Sequence, residues 1–319
     1  MATNSTQYGS ESMANLTAYL NQVMGEDAEI PLPEPANEID PGPIEPPKSE
    51  IEEAKENETK FTDTTPITDD LGNTVYIPGG FHVDKESEGI LVEDGIVIED
   101  DDGNQFVWIP TGTYQTTDGE KINELTRRQW GNEPNVEKEP IPITGDEVAT
   151  GYYNDLDYRE YYYGEGDSRS IAYGEIDTFL VSASPKSDSN QNGHGGFYIG
   201  RYEQGKWNAC KAGVDAYVNV TRDEAKAEAE AMFEDNLEIK ATSQLISSYA
   251  WDTALNFICQ TNTEGYELAT TTDDAYGNIG TKNKTQTRGY PADCYSNVYD
   301  LLGNCYEWTT EYSSYTFGS

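Results

Sequence analysis

The stretch Asn297-Val298-Tyr299-Asp300-Leu301-Leu302-Gly303-Asn304-Cys305-Tyr306-Glu307-Trp308-Thr309 is the most specific run in the chain. Asn297 is a residue that hydrogen-bonds backbone in turns. Gly303 and Asn304 permit a tight backbone reversal. Trp308 is expected to anchor a core through its large apolar ring. Cys305 reads as a small core hydrophobe. Glu307 reads as a carboxylate that caps or bonds nearby backbone.

Upstream, Gly196-Phe197-Tyr198-Ile199-Gly200-Arg201-Tyr202-Glu203 reads as a strand. A helix is predicted over about 221–235, opened by a capping box. In that box the Thr221 hydroxyl takes an amide and the Glu224 carboxylate returns to the cap. Ala225, Ala229, Met232 and Phe233 form its apolar stripe. A second helix is predicted over about 247–259, with Trp251, Ala254, Leu255 and Ile258 at core-facing spacing. Asp252 is expected in its first turn, where a negative charge suits the helix dipole. Residues 262–290 form a loop rich in Thr, Asn and Gly.

Two related segments lie further upstream, Gly72–Phe81 and Gly103–Gly112. Each passes from Asp and Gly-Asn turn residues into a short β-prone run that ends in Ile-Pro. The run Gly95-Ile96-Val97-Ile98-Glu99 should pair with Gln105-Phe106-Val107-Trp108 across the Asp102-Gly103 turn. Residues 65–115 therefore read as β-hairpins, with the start of the main domain as an alternative. Residues 116–194 read as a long Tyr- and Gly-bearing insertion with a helix around Asn123–Trp130. Residues 25–62 are rich in Pro, Glu and Lys and are expected to be a stiff, solvated, disordered linker. Residues 1–24, with Leu16, Tyr19, Leu20 and Val23 at helical spacing, are expected to be a tether or docking segment.

The 297–309 stretch resembles the Asn-x-Tyr-Asp-φ-φ-Gly-Asn-x-φ-Glu-Trp-Thr signature of the formylglycine-generating-enzyme (sulfatase-modifying-factor) superfamily. Phe197 to Glu203 is similar to that family's opening strand, and Ala250-Trp251-Asp252-Thr253-Ala254 to its Trp-x-Asp-Ala helix. The resemblance spans about residues 195–312, and residues 104–114 add a further short match. It implies an α+β, C-type-lectin-like domain over residues 195–319, with two helices beside small twisted sheets. It implies that Asn297, Tyr299, Asp300, Asn304, Trp308 and Trp251 are structural signature residues. It also implies a calcium site that uses the Glu307 carboxylate and the backbone carbonyls of Gly303 and Cys305.

The departures from the family bear on chemistry. The family's Arg-Leu-Pro-Thr-Glu-x-Glu-Trp-Glu block is missing, as are the final strands with Arg-Gly-Gly-Ser, so the domain reads as C-terminally incomplete. In the enzymes that last segment carries the cysteine pair that binds copper. None of Cys210, Cys259, Cys294 or Cys305 stands in a matching position. No catalytic residue and no copper are therefore expected, although a formylglycine-generating oxidase stays as an alternative. The resemblance implies a non-enzymatic ligand- or receptor-binding protein, as in the variable proteins of diversity-generating retroelements. The stretches Leu16–Asn21 and Gly25–Pro33 look like the opening of phage structural proteins. A phage virion protein of the tail or decoration kind is thus the leading expectation, and a purely structural virion component is a further alternative. The expected partners are a host-surface receptor or a carbohydrate or protein ligand, with other virion subunits at the N-terminal segment.

Composition agrees with a binding role and excludes others. Acidic residues number 59 against 20 basic, a formal net charge of −39. Such a charge repels nucleic acid and anionic membranes, and it also serves solubility. The 23 tyrosines suit either a binding face or β-rich packing. No run of 18 apolar residues exists to insert in a membrane. The first residues lack a secretory signal, so the protein is expected to be made in the bacterial cytoplasm and to reach a virion or extracellular surface by another route. No C-x-x-C motif occurs, and His82 and His194 are the only histidines. That excludes a zinc site of the usual spacing, and free thiols or one disulfide both remain open.

Overall fold

The computed structural model describes residues 47–128, 140–141, 152–153, 171–173, 176–207, 209–262, 294–301 and 308–313. The chain divides into Met1–Pro47 and a compact unit, Lys48–Ser319. That unit is α+β, built of several small antiparallel sheets and few helices.

The unit opens on a helix, α1 (Glu50–Glu56), where the sequence predicts disordered linker. Ser49 caps it by accepting the Glu52 amide, and Glu50, Glu52 and Glu53 fill its first turn, where the helix dipole favours carboxylates. Its Ile51 and Ala54 are buried. Lys55 Nζ donates to the carbonyls of Ser87 and Gly89, at 2.5 and 3.0 Å. Phe61 N donates to Phe81 O at 2.9 Å, and Gly80 N to Phe61 O at 2.7 Å. The Glu- and Lys-rich composition of the segment conceals two apolar residues at helical spacing. Burying Ile51 alone is worth about 1.5–3 kcal/mol. Residues 48–62 therefore belong to the folded body, while 25–46 lie outside the described residues, as does the predicted tether at 1–24.

Two hairpins follow in the stretch the sequence reads as β-hairpins, and the second has the predicted pairing. Strand β1 (Thr65–Thr68) pairs with β2 (Thr74–Ile77). After β3 (His82–Val83) and a short 3-10 turn at Val92–Asp94, β4 (Val97–Glu99) pairs with β5 (Gln105–Pro110), with Val97 opposite Val107 and Glu99 opposite Gln105. The two turns share one hydrogen-bond pattern. Asp69 Oδ1 accepts the amides of Leu71 and Asn73, and Asn73 Nδ2 donates to Asp69 Oδ2. Asp100 Oδ1 likewise accepts the amides of Asp102 and Asn104, and Asn104 Nδ2 donates to Asp100 Oδ2. Gly72 and Gly103 hold the left-handed position between them, at φ 83° and 81°.

A third hairpin, β6 (Gly112–Thr116) with β7 (Gly119–Asn123), runs where the sequence places an insertion and the start of a helix. Asn123 is fully buried at the end of β7. It donates to the carbonyls of Pro110 (2.7 Å) and Thr253 (3.2 Å) and accepts from Asn256 Nδ2 (2.7 Å). These distant partners hold Asn123 in the sheet. Beyond it the chain forms the short strand β8 (Arg127–Arg128), paired with β9 (Pro140–Ile141), so no helix spans 123–128. Residues 129–130 lie outside the described set. Strands β10 (Tyr152–Tyr153) and β11 (Ile171–Tyr173) precede helix α2 (Ile176–Ala183).

Strand β12 (Gly196–Gly200) pairs with β5 in a four-stranded sheet of order β12-β5-β4-β3. Residues 65–115 are thus part of the main domain, the alternative left open by the sequence. Helix α3 (Arg222–Ala231) carries the predicted capping box, with Thr221 and Glu224 satisfying each other's orphan groups. Helix α4 (Ser248–Thr261) buries Tyr249, Ala254, Leu255, Phe257 and Ile258. Trp251, at the edge of that stripe, is half-buried, and Asp252 is buried one turn in, past the first turn. The hairpin β13 (Cys294–Tyr295) with β14 (Val298–Tyr299) follows, and β15 (Glu311–Ser313) pairs with β11. Fully buried Trp108, Ile109 and Val107 from β5 form the centre of the core, against Val97, Ile98 and the buried face of α4. Among the described residues no helix is long and apolar enough to cross a membrane.

Candidate functional site

The signature segment is fastened to the β-body by one buried cluster. Ser296, Asn297 and Asp300 adopt left-handed backbone, at φ 46°, 64° and 56°. Single residues hold such angles where surrounding contacts over-determine them. Asn297 Nδ2 faces three carbonyls, those of Glu88, Asp94 and Gly95, at 3.0, 3.0 and 2.9 Å. Gly95 is required here: it is left-handed, at φ 81°, and a Cβ would collide with the Ser296 carbonyl. Asn297 Oδ1 accepts from Arg201 Nη2 at 3.1 Å.

Arg201 stands just past β12 and is buried. Its Nη1 pairs with Asp84 Oδ2 at 3.2 Å and donates to Gln105 Oε1 at 2.9 Å. A buried guanidinium without such partners would be costly, and removing one partner of such a pair destabilises by about 3–5 kcal/mol. Tyr202 and Tyr299 stack beside it, with ring centroids 4.8 Å apart and planes at 13°. Tyr299 N donates to Arg201 O at 2.9 Å. The sequence analysis singled out Asn297 and Tyr299 but missed Arg201, Asp84 and Gln105. A cation ending an apolar strand was the available signal, since it demands an anion somewhere in the fold.

The thiols near this cluster are protonated. Burial pushes Cys210 up to about 11 and raises Cys294 as well, against weaker lowering by Tyr299 and Arg201. Burial also raises Tyr299 to about 12. Thiols held in this way are poor nucleophiles. Among the described residues Cys210, Cys259 and Cys294 form no disulfide.

Trp308 does not anchor the core. Its side chain is 47% exposed, and its Nε1 donates to Val220 O at 3.1 Å. Trp108, 2% exposed and edge-on to Tyr198 with centroids 5.1 Å apart, fills the central position instead. The residues after Trp308 are tied down by the Arg222 guanidinium, which donates to the carbonyls of Thr309 and Thr310, and by Thr310 N, which donates to Ile246 O at 3.0 Å.

Val298, Tyr299, Leu301 and Trp308 line an apolar cavity of about 960 Å³. Phe81, Phe106 and Phe233, a mutually edge-on triad at 5.7–5.9 Å, line it as well. Helix α3 contributes Ala225 and Ala229. Ligand cavities are of this size and this mainly apolar character.

Of the residues singled out by sequence, Asn297 and Tyr299 meet at this cluster, Tyr299 and Trp308 line the cavity, Asp300 is buried next along the chain, and Trp251 stands apart on α4. Gly303, Asn304, Cys305 and Glu307, the proposed calcium ligands among them, lie outside the described residues. Among the described residues no group of three His, Cys, Asp or Glu side chains is placed to hold a metal.

No protein-family model, curated protein or solved structure matches this chain. The family resemblance therefore stands on its own residues.

Proposed function

We propose that this chain is a non-enzymatic binding protein that displays a C-type-lectin-like body of the formylglycine-generating-enzyme type, carried on a phage virion. The observation that carries the reading is the apolar cavity beside the signature segment, with a half-exposed tryptophan, Trp308, among its lining residues. An exposed aromatic next to a roomy apolar hollow is what a ligand site requires. The Arg201–Asn297 cluster supports the lectin-like body, because it joins β12 and the signature in the order the resemblance implies. The raised thiols of Cys210 and Cys294 argue against oxidative chemistry at either residue. Calcium held by Glu307 with the carbonyls of Gly303 and Cys305 belongs to the same reading by resemblance alone.

Removal of the protein from particles tests the proposal. The particles should stay intact and lose attachment to host cells. Particles that fall apart would make the chain a structural component instead. Incubation with copper, dioxygen and a cysteine-containing sulfatase peptide should give no aldehyde, and turnover would restore the enzymatic reading.

A further inference from the structure

A second hollow, of about 570 Å³, lies near the C-terminal end of α3, bordered by the Asp100–Asn104 turn and the loop that carries Trp207. Trp207 is 89% exposed and sits at left-handed φ, 59°. Among the described residues no ring contact or hydrogen bond holds its indole, and so large an apolar surface left in water is a recurring mark of a binding site. Around it the lining is polar and of mixed character. Asp102 and Asp235 present exposed carboxylates. Lys211 Nζ donates to Asp102 O at 2.7 Å and has two further N–H groups. Asn236 Oδ1 accepts the Glu238 amide at 3.1 Å, so its amide N–H groups remain to donate.

These features select a ligand class. A flat indole face suits the C–H face of a sugar ring, which is apolar and weakly positive against the negative π-face. Hydroxyls both donate and accept, so a ring bearing several of them matches a lining of carboxylates, an amide and an ammonium. Lys211 offsets one of the two exposed carboxylates, and an acidic sugar would meet both of them on a chain of net charge −39. The hollow has room for one or two rings.

We infer that this hollow binds a neutral saccharide, with Trp207 stacked on a pyranose ring and Asp102, Asp235, Asn236 and Lys211 bonded to its hydroxyls. The inference rests on the binding reading above but uses a different site, without calcium.

The test uses the full chain, titrated calorimetrically with methyl glycosides of glucose, galactose, mannose and N-acetylglucosamine and screened on neutral oligosaccharides, each with and without EDTA. At least one neutral sugar should bind. Trp207→Ala should weaken that binding by at least about tenfold, and Trp207→Phe should retain most of it. Binding of an apolar dye to the larger cavity serves as the control, since it should be the same in the wild type and in Trp207→Ala. Dye binding without any sugar binding overturns the saccharide site while leaving the binding reading in place. Sugar binding that survives Trp207→Ala, or that disappears in EDTA, overturns it as well. So does a preference for arginine or tetramethylammonium over every sugar.

Discussion

The turns at Asp69–Asn73 and Asp100–Asn104 are local twins with different tertiary uses. In each, one aspartate gathers two backbone amides and the asparagine side chain around a left-handed glycine. Beyond that shared pattern they part. Asn73 is half-buried and docks on β6, where it accepts Gln115 N at 2.7 Å and donates to Gln115 O at 2.9 Å. Asn104 is buried and accepts Cys210 N at 2.9 Å. The local sequence specifies the turn, and burial of what it docks on specifies how much the turn contributes.

The largest expected difference between the twins is in the asparagines. Asn104→Ala strands a buried Asp100 oxygen and the Cys210 amide and should cost about 2–3 kcal/mol, whereas water can replace Asn73, whose loss to Ala should cost about 1 kcal/mol. Denaturant unfolding of both variants measures the gap, and equal costs would break the comparison. Alkaline pH should act on the Asn104 side through Cys210. Cys210 keeps its proton in the fold up to about 11, against 9.0 for an unperturbed thiol. The unfolded chain therefore loses this proton first as pH rises. Stability from Cys210 is complete below about 9 and is lost as pH rises toward about 11, an effect on the order of 2 kcal/mol. Cys210→Ala should flatten that part of the stability profile, leaving the slope due to the buried tyrosines. The smallest difference is between the glycines. Gly72 and Gly103 have nearly the same φ and open surroundings, so changing either to Ala should cost about 1 kcal/mol, equally, in thermal unfolding.

The same division between local and distant causes explains what was legible in the sequence. The pairing of β4 with β5, the Thr221–Glu224 box and the buried face of α4 follow from neighbours within a few residues. The failures all have remote causes. Asn123 ends a strand because Thr253 and Asn256 lie against it. Residues 48–62 fold because Ile51 and Ala54 pack on a core that the segment itself does not contain, beginning with β1 and β3. Trp308 lies half in water, held by its bond to the Val220 carbonyl 88 residues away. Arg201 itself was legible as a cation ending an apolar strand, but its partners were not, since Asp84 and Asn297 stand 117 and 96 residues away from it.

Titration of the full chain with an apolar fluorescent probe, beside the cavity-filling variant Ala225→Phe, tests the binding body most directly. A single saturable site is expected in the wild type, lost in Ala225→Phe with no fall in melting temperature. A wild type that never saturates, or a filled variant that binds the probe equally well, would contradict the cavity as a ligand site and the function built on it.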